Sequence, residues 1–235
     1  MERLDKILVS QNIGSRREVQ KLIRSKRVEV DGDIITKPEF KLDPEKCTVK
    51  VDGQALAVKM NIYLMLNKPQ GFVSATQDNL NRTVLELVPE EYRRKGLFPA
   101  GRLDKDTEGL MILTDDGDFA HRILSPKNHV PKIYYAQLDK TPDEKDVQSF
   151  KQGIVLKDGT RFLPAELEVL GEREARVKIC EGKFHQVKKM FAARSIKVTY
   201  LRRDFIGGLG LDGNLPKGIC RELTKTEKEA LFVVK

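Results

Sequence analysis

The order of strand-like and helix-like segments after residue 60 constrains the fold most. Apolar, β-branched or aromatic runs recur at 62–66, 72–75, 110–114, 133–138, 166–170, 175–180 and 197–206. Helical periodicity intervenes at 83–88, 117–124, 143–152 and 186–194, with a shorter stretch near 226–231. A doubly wound parallel sheet requires the two kinds to alternate strictly, because each parallel crossover carries a helix. Here several strand-like runs follow one another directly, and Asp116-Gly117 and Asp158-Gly159 read as tight turns. The pattern predicts an α+β domain built on a mixed, mostly antiparallel sheet flanked by helices.

Before residue 60 the sequence changes character. Leu4, Ile7 and Leu8 stand at helical spacing, and Ser15-Arg16-Arg17-Glu18 is a capping box: a hydroxyl for the exposed N–H groups and a Glu three residues on to reach back. Val19, Leu22 and Ile23 then form a buried stripe, which puts Arg16, Gln20, Arg17, Lys21, Arg24 and Arg27 on the other face. Within 16–27 six residues are basic and only Glu18 is acidic. A purely solvated helix exterior would carry mixed, salt-bridged charge; this near-uniform sign points to a phosphate backbone. Val28-Glu29-Val30, Asp31-Gly32 and Ile34-Ile35 follow as a hairpin, and Thr48–Val51 as a short strand closed by Asp52-Gly53. A linker is expected at about 53–60, separating a small α/β module with its linker, residues 1–58, from a larger domain, residues 59–235.

Composition narrows the function classes. Lys and Arg exceed Asp and Glu by 43 to 35, a net charge of +8 that favours a polyanionic partner. No apolar run approaches the ~20 residues of a membrane span, and the start Met1-Glu2-Arg3-Leu4-Asp5-Lys6 lacks a signal peptide's apolar stretch, so no membrane association and a cytoplasmic location are expected. Three scattered cysteines (Cys47, Cys180, Cys220) and three histidines suggest neither a disulfide framework nor a metal site, and no cofactor is expected. Gly208 to Gly213 formally fits G-x-G-x-x-G, but Asn214, Pro216 and Gly218 follow where a dinucleotide site needs a helix, so the segment reads as turns. No heptad or apolar stripe calls for a second copy, and a monomer is expected.

The chemistry-bearing segment is Pro99-Ala100-Gly101-Arg102-Leu103-Asp104-Lys105-Asp106-Thr107-Glu108-Gly109-Leu110, with three carboxylates in five positions. They read as solvated loop charges beside Arg102 and Lys105, as magnesium ligands lacking a second cluster, or as a nucleophile or base held by a neighbouring cation. Spacing alone does not choose among these readings or among the acids.

Two resemblances bear on the choice. Arg3-Leu4-Asp5-Lys6, Gly14-Ser15-Arg16-Arg17-Glu18, Leu22-Ile23 and Val28-x-Val30-Asp31-Gly32 resemble the ribosomal protein S4-like RNA-binding domain. That likeness implies that Arg3, Lys6, Arg16, Arg17, Lys21, Arg24 and Arg27 contact folded RNA. In the larger domain, Gly101-Arg102-Leu103-Asp104 with Thr107-Glu108-Gly109-Leu110 and Leu113-Thr114-Asp115-Asp116-Gly117 resembles the catalytic motif of pseudouridine synthases. The likeness continues through Leu66-Asn67-Lys68-Pro69-Gln70-Gly71, His121 to Pro126, Lys132-Ile133-Tyr134, Glu181 to Phe191 and Arg203 to Gly208. His185-Gln186-Val187-Lys188-Lys189-Met190-Phe191 is most similar to the RsuA-type branch, which modifies uridine 516 of 16S rRNA; large-subunit relatives more often carry Arg in place of Lys188.

The pseudouridine synthase resemblance implies Asp104 as the essential carboxylate, whether it adds to the base, adds to the sugar, or acts as a base in a glycal route. It implies Lys188 as the cation that keeps that carboxylate ionised and Tyr134 as the ring that stacks on the extruded uracil. Without the resemblance, Tyr134 reads as a core aromatic, with Tyr135 on the opposite face as the alternative. Arg102 fits a role in filling the gap or gripping phosphates, and Leu201 the pocket floor; His185 receives no catalytic role. The partner implied is small-subunit ribosomal RNA in an assembly intermediate. The rival readings are the same chemistry on 23S rRNA, and a non-catalytic RNA-binding protein in which Asp104 is a bystander.

Overall fold

The computed structural model describes residues 1–44 and 46–233. The chain folds as two compact units: Met1–Ile62 with Tyr92–Gly96, and Tyr63–Glu91 with Leu97–Lys235.

In the first unit, β1 (Glu2–Arg3) pairs with β4 (Lys41–Leu42), and helices α1 (Leu4–Ser10) and α2 (Arg16–Arg24) pack through Leu4, Ile7, Leu8, Val19 and Ile23. The capping box forms as the sequence predicts, with Ser15 and Glu18 satisfying each other's backbone N–H. β2 (Val28–Val30), β3 (Asp33–Ile34), β5 (Val49–Val51) and β6 (Gln54–Leu56) make an antiparallel sheet in the order β3-β2-β5-β6.

Two expectations need correction here. The stretch expected as linker contains β6, because Asp52 and Gly53 (φ 51° and 78°) reverse the chain and pair Gln54 with Val51. And α2 ends at Arg24; Lys26 adopts φ 62°, so Arg27 leads into β2 and is not on the helical face.

The second unit is a nine-stranded sheet. Its strands are β7 (Tyr63–Lys68), β8 (Phe98–Pro99), β9 (Glu108–Thr114), β10 (Lys132–Leu138), β11 (Glu166–Gly171), β12 (Glu174–Ile179), β13 (Val198–Ile206), β14 (Leu209–Gly210) and β15 (Cys220–Glu222). The main order is β11-β12-β10-β13-β9-β7-β15, with β8 beside β9 and β14 beside β13. Every pairing is antiparallel except β9 with β13, so the sheet is mixed and mostly antiparallel, as expected. That parallel junction sets Gly109 against Arg203. Gly109 has φ 103°, and a Cβ there would lie 2.3 Å from the Arg203 carbonyl oxygen, so only glycine allows this approach.

Helices α3 (Gly117–Leu124), α4 (Glu144–Gln152), α5 (Gln186–Ala193) and α6 (Lys225–Ala230) flank the sheet. One core gathers Met65, Leu110 and Ile112 under Phe119 and Ile123 of α3; Phe150 of α4 meets Phe191 of α5 at 5.0 Å between ring centroids. Asp116-Gly117 is not a turn: the Asp116 carboxylate accepts from the Phe119 N–H and caps α3. Residues 72–75 form no strand, only a bridge from Val73 to Thr83, and 83–88 contracts to a 3₁₀ turn at Val84–Leu87.

Candidate active site

The loop between β8 and β9 carries Arg102, Asp104 and Asp106, and its backbone is fixed from below. Lys68, at the end of β7, has no solvent exposure. Its ammonium donates to the carbonyls of Pro69, Asp104 and Thr107 at 3.0, 3.1 and 2.9 Å. Burial pulls the Lys68 pKa down to about 8, against the opposing pull of the Asp106, Asp104 and Glu108 charges. The Thr107 N–H closes the turn onto the Asp104 carbonyl, and Ser74 Oγ bonds both N–H and carbonyl of Leu103. A carboxylate on this loop is therefore held by its backbone before any side chain acts on it.

Asp104 is partly buried, and two groups of one segment face it. Lys188 Nζ donates to Asp104 Oδ2 at 3.0 Å, and His185 Nε2 stands 3.4 Å from Oδ1. Lys188 also donates to Asp106 at 2.5 Å, so one ammonium serves two carboxylates. Burial alone would lower the Lys188 pKa; the hydrogen bonds and charges of Asp106 and Asp104 outweigh it and raise it. For Asp106 burial pushes upward, but the Lys188 hydrogen bond and charge hold it below the usual carboxylate range. Asp104 and Asp106 thus converge on an ammonium. No group of three His, Cys, Asp or Glu able to hold a metal occurs among the described residues.

The turn before α5 aims Lys188. His185 precedes the helix in the left-handed region (φ 53°, ψ 31°). Gln186 braces the turn, accepting from the Lys183 N–H and donating to the buried Glu181 carboxylate at 2.8 Å. Across the cleft, Tyr134 of β10 and Leu201 of β13 are 8% and 5% exposed. Leu201 stands opposite Ala136 on the neighbouring strand. Together with Arg102, Asp104, His185 and Lys188 they line one cleft. Tyr135 projects from the other face, where its ring meets Tyr200 at 6.2 Å and the Arg202 guanidinium at 5.3 Å.

Residues 62–193 match the RNA pseudouridylate synthase family, and residues 2–46 match the S4 domain. The chain belongs to the RNA pseudouridine synthase family. It is 45% identical to ribosomal small subunit pseudouridine synthase A of Salmonella typhimurium, over 96% of this chain and 97% of that one. It is 42% identical to the uncharacterized RNA pseudouridine synthase YtzG of Bacillus subtilis, over 97% and 98%. A crystal structure of a pseudouridylate synthase superposes with TM-score 0.69 at 36% identity, covering 98% of this chain and all of that one.

In this pseudouridine synthase the S4-like unit distributes its charge unevenly. Arg17, Lys21 and Arg24 are exposed and make no ion pair among the described residues; Arg16 lies 3.9 Å from the buried Asp5. Arg3 is bound to both Asp5 oxygens, Arg27 to both Asp52 oxygens, and Lys6 lies 3.8 Å from Glu2. Of the basic face expected over residues 16–27 to be free of salt bridges, Arg17, Lys21 and Arg24 fit, whereas Arg27 is paired with Asp52 and Arg16 approaches Asp5, carboxylates supplied from outside that segment.

Sequence reasoning gave Lys68 no role and set His185 aside. The first is a lysine ending a strand that is buried almost throughout, and its burial follows from that strand's place inside the sheet. The second comes near Asp104 because of a left-handed backbone that no spacing rule announces.

Proposed function

We propose that this pseudouridine synthase converts a uridine of 16S rRNA, uridine 516 by resemblance, into pseudouridine, with Asp104 as its catalytic carboxylate. The observation that carries this reading is the Asp104–Lys188 contact of 3.0 Å in a cleft shared with Tyr134 and Leu201. The small-subunit assignment is supported by identities of 44–45% to enzymes named ribosomal small subunit pseudouridine synthase A.

In this reading the uridine leaves its stack and enters the cleft, with its base on the Tyr134 ring and Leu201 as the floor. Arg102, exposed at the mouth, occupies the vacated position or grips a flanking phosphate. The N1–C1′ bond breaks, the base turns, C5 bonds to C1′, and the proton from C5 is lost while N1 gains one. Nothing is oxidised and no group is transferred elsewhere. Asp104 must be ionised to act on the nucleotide, and substrate binding removes the water that would solvate it. Lys188, already at hydrogen-bond distance, offsets that desolvation. Arg16, Arg17, Lys21 and Arg24 bind the backbone of folded small-subunit rRNA in an assembly intermediate. Arg3 and Arg27 contribute less because each is already held by both oxygens of a carboxylate.

The test is a pseudouridine map of both ribosomal RNAs from cells lacking the protein, complemented with wild type or Asp104→Asn. One 16S position should lose its pseudouridine, recover it with wild type, and stay unmodified with Asp104→Asn. A lost position in 23S rRNA would reassign the substrate; restoration by Asp104→Asn would remove Asp104 from the chemistry.

A further inference from the structure

Against His185, which lines the cleft, stands an aromatic ring for which the chemistry above has no use. Phe184 lies between β12 and α5 and is 63% exposed, against the ordinary preference of a large aromatic for the interior. It is nevertheless held. Its ring stacks on the His185 imidazole, with centroids 3.8 Å apart and planes 22° from parallel, and the Lys189 ammonium stands 5.1 Å from its centroid. His185 in turn lies 3.4 Å from Asp104 Oδ1, so contacts run from the carboxylate through the imidazole to an outward phenyl.

The backbone supports a purpose for this arrangement. An N-cap residue is normally extended and uses its side chain to hold the first N–H groups. His185 is left-handed and makes no such cap bond. A residue with a Cβ takes up free energy in that conformation, and such positions persist where they re-aim side chains at a site. Here the side chains so aimed are the imidazole toward Asp104 and the phenyl beside it.

We propose that Phe184, braced by His185, is a stacking platform for the nucleobase adjacent to the target uridine. The inference rests on the functional reading above and adds a residue to it. Extruding one base exposes a face of each neighbour, and an aromatic ring recovers part of the lost stacking whatever the sequence. Tyr134 is unsuited to that task because its ring is buried within the cleft. Phe184 lies outside and is 63% exposed, with His185 stacked on one face and the Lys189 ammonium over the ring. Lys189, whose ammonium stands over the ring, supplies a cation for the accompanying phosphate.

The experiment uses the full-length chain and an RNA spanning the mapped uridine, with 2-aminopurine at the 5′ or the 3′ neighbour. On binding wild-type protein, one of the two labels should remain quenched because it is stacked. With Phe184→Leu that label should brighten, and KM should rise roughly tenfold with kcat within about twofold; Phe184→Trp should restore both. Because the ring is exposed, these substitutions leave the core intact. Wild-type emission and KM retained by Phe184→Leu would overturn the platform while leaving the enzyme reading in place. Failure of the wild-type protein to isomerise the RNA would instead overturn the enzyme reading itself.

Discussion

A single ammonium between two carboxylates dominates the residue scale. Lysine is a compact point charge, able to serve Asp104 and Asp106 from one position, whereas a guanidinium forks onto one partner. Lys188→Met leaves the two acids facing each other without a cation, which favours protonation of the cluster. The acidic limb of kcat/KM should then move to higher pH, and kcat at neutral pH should fall about 10²-fold or more. Lys188→Arg should keep the limb in place. A pH–rate profile on the mapped RNA separates these outcomes, and an unmoved limb in Lys188→Met would detach Lys188 from the ionisation of the site. Asp106→Asn makes a companion prediction. It removes the partner that competes for Lys188, so the limb should stay or move to lower pH, the opposite sign.

At the scale of elements, α6 is tied down by Glu227. Its carboxylate is held to about 2, chiefly by hydrogen bonds from Arg221, with burial opposing and the Thr224 N–H assisting. Behind this tether Leu231 is fully buried, and Phe232 packs edge-on against Phe119 of α3 at 5.4 Å between centroids. Because the folded pKa lies below the ordinary 4.5, the stabilisation is fully present above that value and is lost as pH falls toward 2. Glu227→Gln should lower the melting temperature at neutral pH by roughly 2–6 °C. That gap should narrow steadily below about pH 4.5 in melts followed by circular dichroism; a constant gap would mean that the charge is not the tether.

The same scale shows which parts of the fold were legible in the sequence. Helices with their own signals were readable: α3 spans the residues that its periodicity gives, and α2 begins at its capping box. β15 carries no comparable signal, since three residues, Cys220–Glu222, become a strand only by pairing with Leu64–Leu66 from the far end of the unit. β6 was obscured because an Asp-Gly pair marks both the end of a strand and the start of its partner. The site divides in the same way. Asp104, Tyr134 and Lys188 lie within ordered motifs and Leu201 lies outside them, while the burial of Lys68 and the approach of His185 to Asp104 are set by tertiary structure.

For the whole molecule, a net charge of +8 favours a polyanionic partner without saying where it docks. On the proposed function the two tasks fall to different units: the unpaired cations Arg17, Lys21 and Arg24 lie on α2 of the first, and the carboxylate, ammonium and ring lie in the second. Binding and chemistry should therefore separate in kinetics. Arg16→Ala with Arg24→Ala should raise KM and leave kcat nearly unchanged, since substitutions that remove uniform binding act on KM alone. The plot of log K against log salt should flatten by roughly one to two, about one for each phosphate contact removed. Arg27→Ala makes the contrast sharper. Its guanidinium is held by both Asp52 oxygens, so its loss should change the salt slope much less than Arg24→Ala does. Equal slopes for the two single variants would mean that RNA opens the Arg27–Asp52 pair, and the division between paired and unpaired cations would no longer describe how this unit binds.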